Sequence, residues 1–271
     1  MVVDPIQVRT HTGRAGPVVV VHGGPGAPGS VTGLAAGLAP AFEVWEPFQR
    51  RSGEVELTVD RHVADLHDVA PHAAVIVGHS WGAMLGLSYA ARYPAEVRAL
   101  ALVGCGTYDA ASRAEYDRRI NARLGTEGNQ RKQELRAAIE HADDPAERDR
   151  YLGLMGALNA VAQSVDLLPD DQPEGVTVDA VGHEQTWRDV LRRQATGLEP
   201  ASFGAIEAPV LMLHGDGDPH PGRMIRDTLL PHVPQLEYLG IPQCGHEPWR
   251  ERHGREPFFA TLRAWLKAVG D

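Results

Sequence analysis

Residues 75–86 read VIVGHSWGAMLG, and this stretch decides the fold class. The run Val-Ile-Val is typical of a strand buried on both faces, and the small residues after it predict a helix. Between them, residues 78–82 match G-x-S-x-G, a pattern in which a sharp strand-to-helix turn projects a serine hydroxyl from the backbone. We therefore predict Ser80 as a nucleophile. The alternative is a glycine-bounded turn with an incidental serine.

Four further apolar runs surround this stretch, at residues 17–21, 99–103, 209–213 and 236–239. Segments with helical spacing alternate with them, at residues 58–69, 82–93 and 255–269. Strands that alternate with helices imply a mostly parallel sheet with right-handed crossovers. The sequence therefore predicts an α/β fold with a mostly parallel central sheet and helices on both faces.

The alternation stops between residues 107 and 206, where no buried strand is evident. This segment is rich in Ala, Arg, Glu and Asp, with helical periodicity at residues 114–124 and 130–141 and a loop at 168–175. We predict a helical cap over 107–206, inserted into a core formed by 1–106 and 207–271. The alternative is that these helices simply pack on a sheet face.

Polar residues follow the apolar runs, where an open parallel sheet builds its sites. A serine nucleophile needs a histidine base, and His246 suits this role in a loop before the terminal helix. We expect His22 and His214 to hold loops at strand ends, and His253 to be solvated.

A carboxylate must orient the base, and the loop after the fourth run offers two, Asp216 and Asp218. Asp216 comes so soon after the strand that it is typical of a turn. We therefore favour Asp218, with Asp216 as the second choice and Asp109 as a more distant one.

The order Ser80, Asp218, His246 resembles the alpha/beta-hydrolase fold superfamily over essentially the whole chain outside the cap. The loop His-Gly-Gly-Pro-Gly at 22–26, together with Ser-Trp-Gly in the turn, is most similar to the proline iminopeptidase branch. This resemblance implies an oxyanion hole made by the backbone amides of Gly24 and Trp81.

Three features depart from that branch. His79 stands where the branch usually has a glycine, and residues 48–51 (Phe-Gln-Arg-Arg) only echo its Asp-Gln-Arg-Gly turn. The branch's cap signature, which grips a free amine, has a thin analogue in residues 183–189, where Glu184 and Trp187 are candidate substrate-binding residues. An ordinary charged helix face is the alternative there.

The chain of 271 residues carries a formal net charge of −10. An acidic chain without a basic face argues against nucleic-acid binding. No apolar run is long enough to span a membrane, and the N-terminus lacks signal-peptide features, so a cytoplasmic location is expected. Two cysteines cannot form a disulfide framework. The oligomeric state stays open.

These patterns together predict a serine hydrolase that cleaves a small-molecule ester or amide through an acyl-enzyme, without metal or cofactor. A proline iminopeptidase-like aminopeptidase is one form of this, and a carboxylesterase or lactonase is the alternative. A dinucleotide-binding oxidoreductase is a second class, because residues 24–29 match G-x-G-x-x-G and Glu46 follows at a suitable distance. A non-catalytic binding protein on the same scaffold is a third.

Overall fold

The computed structural model describes residues 5–169 and 178–270, in which a central sheet lies between two layers of helices. The described strands are β1 (Val8–His11), β2 (Ala15–Val21), β3 (Phe42–Pro47), β4 (Ala74–His79), β5 (Val97–Val103), β6 (Val210–Gly215) and β7 (Leu236–Ile241). They lie in the order β1-β3-β2-β4-β5-β6-β7. All neighbours are parallel except β1 and β3. The predicted α/β fold is confirmed.

The five predicted strands correspond to β2, β4, β5, β6 and β7, whereas β1 and β3 were missed. Both missed strands lie at one edge of the sheet. The side chains of β3 alternate between buried and half-buried for most of its length, so it lacks the continuous apolar run of a central strand. The alternation in FEVWEP is the period-two signal that could have revealed β3.

Nine helices flank the sheet in the described part of the chain. They are α1 (Thr32–Leu38), α2 (Val59–Val69), α3 (Trp81–Arg92), α4 (Ala110–His141), α5 (Pro145–Ala162), α6 (Ala180–Ala195), α7 (Leu198–Ala201), α8 (Gly222–Leu229) and α9 (Arg255–Gly270). None of the described helices is long and apolar enough to cross a membrane.

The core is divided by the sheet into two apolar layers. On β4, Ile76 contributes to the layer under α2, α3 and α8, while Val75 and Val77 contribute to the layer under α1 and α9. Because neighbouring side chains of a strand point to opposite faces, a continuous apolar run fills both layers at once. Cys105 and Cys244 are buried free thiols.

The described part of the segment between β5 and β6 is mostly helical, with non-helical stretches that include residues 164–169. The predicted helices at 114–124 and 130–141 are parts of α4, which is interrupted at Gly125, where φ is 63°. The helices α4 and α5 pack against each other, whereas Val190 of α6 and Phe203 after α7 belong to the core on the sheet. The cap boundaries 107 and 206 stay a prediction, and the predicted loop lies outside the described residues from 170 onward.

A buried carboxylate joins this insertion to the C-terminal part of the core. Glu251 is fully buried, and its two oxygens accept hydrogen bonds from the main-chain N–H groups of Val165 (3.0 Å), Asp166 (2.6 Å) and Gly245 (3.1 Å). An antiparallel bridge pairs Leu167 with Glu251. The residues that follow α5 are therefore held by hydrogen bonds to the loop around residue 245.

We predict that Glu251→Gln lowers the free energy of unfolding by about 1–3 kcal/mol, because the new amide NH₂ would face main-chain donors and leave them unpaired. Asp166→Asn is the matched control. It removes an exposed ion pair with Arg252 and should change stability by about 0.5 kcal/mol at most. Chemical denaturation of the two variants measures the difference, and equal stabilities would contradict the role given to Glu251.

Candidate active site

Ser80 lies in a tight turn between β4 and α3. Its backbone has φ 54° and ψ −118°, a conformation that costs energy in a residue with a side chain. A Cβ atom on Gly78 would collide with the carbonyl of Gly82, and one on Gly82 would collide with the carbonyl of Val21. The two glycines of the motif therefore let α3 begin directly against the strands. The resulting turn leaves the Ser80 side chain partly exposed.

Asp218 and His246 form a buried pair beyond the ends of β6 and β7. The Nδ1 atom of His246 lies 2.6 Å from Oδ2 of Asp218, and the two residues are 5% and 2% exposed. Their loops can approach closely because Gly215 has no side chain, and a Cβ there would collide with the carbonyl of Gly245. Two residues far apart in sequence are thus brought together at one edge of the sheet.

The other two candidate carboxylates have different surroundings. Asp216 is exposed and lies in the turn after β6, where its N–H donates to the carbonyl of Ile241. Asp109 caps α4 by accepting a hydrogen bond from Ser112 N–H (2.8 Å), and it also accepts one from the hydroxyl of Thr228 (2.7 Å). Of the three carboxylates, Asp218 is the one hydrogen-bonded to His246.

The end of β5 lies between Ser80 and the ring of His246 and contacts both. Its N–H donates to the carbonyl of Val103 at 2.9 Å, and the next residue, Gly104, lies against the imidazole of His246. A Cβ on Gly104 would lie 2.9 Å from Nδ1 of that ring. Within residues 5–169 and 178–270, the Ser80 hydroxyl has no hydrogen bond to the His246 ring, and such pairs often tighten only when substrate binds.

The pKa shifts of Asp218 and His246 are those expected of an ionised carboxylate that holds a histidine base. Burial alone would raise the pKa of the Asp218 carboxyl, but the nearby His246, His220 and His214 outweigh burial and hold that pKa well below its usual range. Burial alone would lower the pKa of His246, but the charge of Asp218 and its hydrogen bond outweigh this and raise it. Asp218 therefore remains ionised and strengthens His246 as a proton acceptor.

His79 and His22 act as neutral hydrogen-bonding groups. Burial lowers the pKa of His79 well below the usual range, and its Nε2–H donates to the carbonyl of His246 at 3.2 Å. Burial lowers the pKa of His22 to about 4, and its Nδ1–H donates to the carbonyl of Gly23 at 2.8 Å. His253 is exposed.

The loop at 22–26 lies against the Ser80 turn. A Cβ on Gly23 would lie 3.1 Å from Cβ of Ser80, and Gly24 has a φ of 114°, which favours glycine. Trp81 is the first residue of α3, and the N–H groups of a first helical turn have no acceptor within the helix. The loop and the helix start therefore converge on the serine.

Gln49, two residues after β3, joins these two elements; from the sequence it was noted only within residues 48–51, as an echo of the Asp-Gln-Arg-Gly turn, and no role was assigned to it. Its Oε1 accepts a hydrogen bond from the indole N–H of Trp81 (2.8 Å), and its Nε2 donates to the carbonyl of His22 (2.8 Å). The main-chain N–H of Gln49 donates to Nε2 of His22 (3.1 Å). The echo of that turn was the signal for Gln49, but its position was not predicted, because strand β3, which leads the chain to this place, was missed.

The start of α6 covers the other side of the same loop. The N–H of Asp179 donates to the carbonyl of Gly26 (3.1 Å), and Nδ1 of His183 donates to the carbonyl of Pro25 (2.9 Å). Glu46, the acidic residue of the dinucleotide-binding alternative, is fully buried and accepts a hydrogen bond from Thr32. The loop is thus engaged by protein where a pyrophosphate would bind, which disfavours that alternative.

The candidate substrate-binding residues have partners of their own. The Glu184 side chain is 60% exposed and forms an ion pair with Arg148 at 2.8 Å. Trp187 is half-buried and packs against the apolar layer under α2 and α3. The described contacts connect neither residue to Ser80 or His246.

His220 is a second residue that sequence reasoning missed. It lies close enough to Asp218 and His246 that one ligand atom from each falls within 4.8 Å of the others, a spacing that could hold a metal ion. However, the rings of His220 and His246 are stacked with an interplanar angle of 22°, and Nδ1 of each already binds Asp218. Because a histidine ligates a metal in the plane of its ring, two stacked rings do not converge on one ion.

Comparisons with known proteins agree with this architecture. The model of the Alpha/beta hydrolase family matches residues 18–259. No curated protein matches the chain. Solved structures with a similar fold include an esterase from Thermogutta terrifontis, at 22% identity with a TM-score of 0.57, covering 98% of this chain and 94% of that one.

A proline iminopeptidase from Mycobacterium smegmatis is similar at 22% identity with a TM-score of 0.60, covering 97% of this chain and 94% of that one. An esterase from Exiguobacterium antarcticum is similar at 16% identity with a TM-score of 0.61, covering 97% and 95%. At these identities the likeness concerns the fold, whereas the family match spans most of the sequence. The chain therefore belongs to the alpha/beta hydrolase family.

Proposed function

We propose that this chain is a serine hydrolase that cleaves a small-molecule ester or amide through an acyl-enzyme. The observation that carries the proposal is the meeting of a strained serine turn with a buried Asp218–His246 hydrogen bond of 2.6 Å at one sheet edge. A serine hydroxyl is a weak nucleophile, and an adjacent histidine oriented by a carboxylate is the arrangement that activates it.

In the proposed reaction, Oγ of Ser80 attacks the substrate carbonyl while its proton passes to Nε2 of His246. Nε2 is the ring nitrogen that can accept the proton, because Nδ1 carries a hydrogen and donates it to Asp218. As the tetrahedral intermediate collapses, the bond to the leaving group breaks and His246 returns the proton to that group. Water then gives a proton to Nε2 of His246 as its oxygen attacks the acyl carbon. When this second tetrahedral intermediate collapses, the bond to Oγ of Ser80 breaks, His246 returns the proton to Oγ, and the acid is released.

The backbone N–H groups of Gly24 and Trp81 are the proposed donors to the oxyanion. Both belong to elements that meet at Ser80, and Gln49 ties those elements together. One such donor typically contributes about 3 kcal/mol to transition-state stabilisation, because it is already oriented before charge develops. The loop hydrogen bonds to Asp179 and His183 provide that prior orientation.

We propose an ester as the preferred substrate. An aminopeptidase needs a free anion to hold the substrate amine, but Glu184 is exposed and already paired with Arg148. The insertion contacts the loop at 22–26 and the loop of His246, so the proposed pocket admits small molecules more readily than folded proteins. Faster hydrolysis of a proline naphthylamide than of a short-chain nitrophenyl ester would instead favour an iminopeptidase and restore Glu184 as the anchor.

A fluorophosphonate probe should label the wild-type protein at Ser80, because the probe reacts with activated serines. Ser80→Ala should abolish labelling and lower hydrolysis of a nitrophenyl ester by at least about 10,000-fold, since the members of a triad act as a unit. Ser202→Ala, at another half-buried serine, is the control and should retain both. Labelling that survives in Ser80→Ala would place the nucleophile elsewhere.

Asp218→Asn should lower kcat by about 1,000-fold or more. An amide does not hold the imidazole of His246 in the required tautomer, and it lacks the negative charge that stabilises the protonated imidazole. Asp216→Asn is a matched change in the same loop and should alter kcat by no more than about threefold, because Asp216 is exposed. Steady-state kinetics on the same ester compares them. The reverse order of losses would reassign the acid.

Activity should be lost as the pH falls through the pKa of His246, because the base must be neutral to accept a proton. Asp218 raises that pKa, so the acid midpoint of kcat/KM should lie above the value of about 6.5 for a free histidine. A pH–rate profile measures it, with the exposed His253→Ala as a control that should not move the midpoint. A midpoint well below 6.5 would contradict the pairing.

A further inference from the structure

His220 makes four contacts around the proposed triad that the mechanism above does not use. Its Nδ1 lies 2.9 Å from Oδ1 of Asp218, and its main-chain N–H donates to the same oxygen at 2.8 Å. Its ring stacks on that of His246, with centroids 4.4 Å apart, and on that of Tyr116 from α4, with centroids 4.2 Å apart. A residue two positions after the acid thus touches both the acid and the base.

The two oxygens of Asp218 accept hydrogen bonds from different imidazoles, Oδ2 from His246 and Oδ1 from His220. Oδ2 faces His246 at 2.6 Å and His214 at 3.2 Å, whereas Oδ1 accepts both hydrogen bonds from His220. Because Asp218 is ionised, the hydrogen-bond network assigns a proton to Nδ1 of His220. A carboxylate with donors on both oxygens cannot rotate freely. The Nδ1–H group of His220 also stabilises part of its negative charge.

We propose that His220 is a positioning residue that shares the Asp218 carboxylate with His246, and so sets the orientation and the basicity of the catalytic base. The proposal rests on the proposed function of Ser80, Asp218 and His246. Without the Nδ1–H donor of His220, more of the carboxylate charge acts on His246, and the carboxylate is held in place by fewer bonds.

The stacked rings extend this arrangement into the insertion. On the other side of His246 the stacking ends: the ring of His79 is tilted by 54° to that of His246, with centroids 4.8 Å apart, and it meets Trp249 edge-on, with centroids 4.7 Å apart. At the other end, the hydroxyl of Tyr116 accepts a hydrogen bond from Nε2 of Gln163 (3.2 Å), and the carbonyl of Gln163 accepts one from the main-chain N–H of His246 (3.0 Å). The insertion therefore contacts the base from two directions, one of which passes through His220.

Other charged or titratable groups also face this pair. An open cavity of about 300 Å³ beside Asp218 and His220 is lined in part by Arg119 of α4, Asp216, Arg223 of α8 and Tyr238 of β7. His214 donates to the carbonyl of His220 at 3.0 Å, and Glu247 adjoins His246. None of these groups changes in the variants below, so a shift in the pH profile reports the contact between His220 and Asp218.

Two substitutions separate the hydrogen bond from the ring stack. In His220→Asn, the amide nitrogen can occupy the place of Nδ1, so the donor to Asp218 is kept and the ring is lost. In His220→Phe, the ring is kept and the donor is lost. The experiment measures kcat, KM and the acid midpoint of the pH–rate profile on a nitrophenyl ester, with thermal unfolding of each variant as a check of folding.

We expect His220→Phe to lower kcat by about tenfold or more with little change in KM, because a hydrogen bond to a charged group is lost. Its acid midpoint should rise by about half a pH unit, because the freed carboxylate charge favours the protonated form of His246. His220→Asn should retain kcat within about threefold and keep the wild-type midpoint. A purely structural residue would lower stability in both variants without moving the midpoint.

The proposal is overturned if His220→Phe matches wild type in kcat and midpoint, or if His220→Asn loses as much as His220→Phe. Should His220→Phe fail to fold, His220→Gln supplies a second variant without a donor at the Nδ1 position, and the same outcomes apply. Fluorophosphonate labelling separates this result from the hydrolase proposal. Wild-type protein labelled at Ser80, with an unaffected His220→Phe, rejects the role of His220 alone, whereas wild-type protein without label rejects the hydrolase.

Discussion

A buried negative charge on Asp218 is the constraint on which the candidate site depends. An ionised carboxylate in a protein interior is costly unless donors surround it, and here the imidazoles of His246 and His220 and the main-chain N–H of His220 do so. These donors come from the loop after β6 and from the loop after β7. The hydrogen bonds to this one carboxylate therefore fix the loop after β6 and the loop after β7 relative to each other at the sheet edge.

A parallel sheet makes this meeting possible. Strands β2, β4, β5, β6 and β7 run in the same direction, so the loops that follow them emerge at one edge. Small residues then decide how closely the loops approach, as the contacts of Gly104 and Gly215 with the His246 loop show. The chemistry we propose needs reacting groups within a few ångströms, and glycines at the strand ends provide that proximity.

The segment between β5 and β6 contacts the candidate site at three places. It contacts the loop at 22–26 through α6, the loop of His246 through the residues after α5, and the ring of His220 through Tyr116 of α4. In the proposed mechanism these are the oxyanion loop, the base and its positioning residue. A movement of this segment would therefore disturb the alignment of the base.

The sequence by itself determined the α/β class, five of the seven described strands and the turn at Ser80, because each depends on local patterns of apolar runs, glycines and spacing. It also favoured Asp218 over Asp216 as the acid, which stays a prediction, and Asp218 is the one hydrogen-bonded to His246. It did not reveal β1 or β3, whose half-buried side chains lack a continuous apolar run. Only the tertiary structure showed the contacts of His220, Gln49 and Glu251, since these join residues distant in sequence or involve a particular carboxylate oxygen. Such contacts follow from how loops pack at a sheet edge, and no periodicity along the chain encodes them.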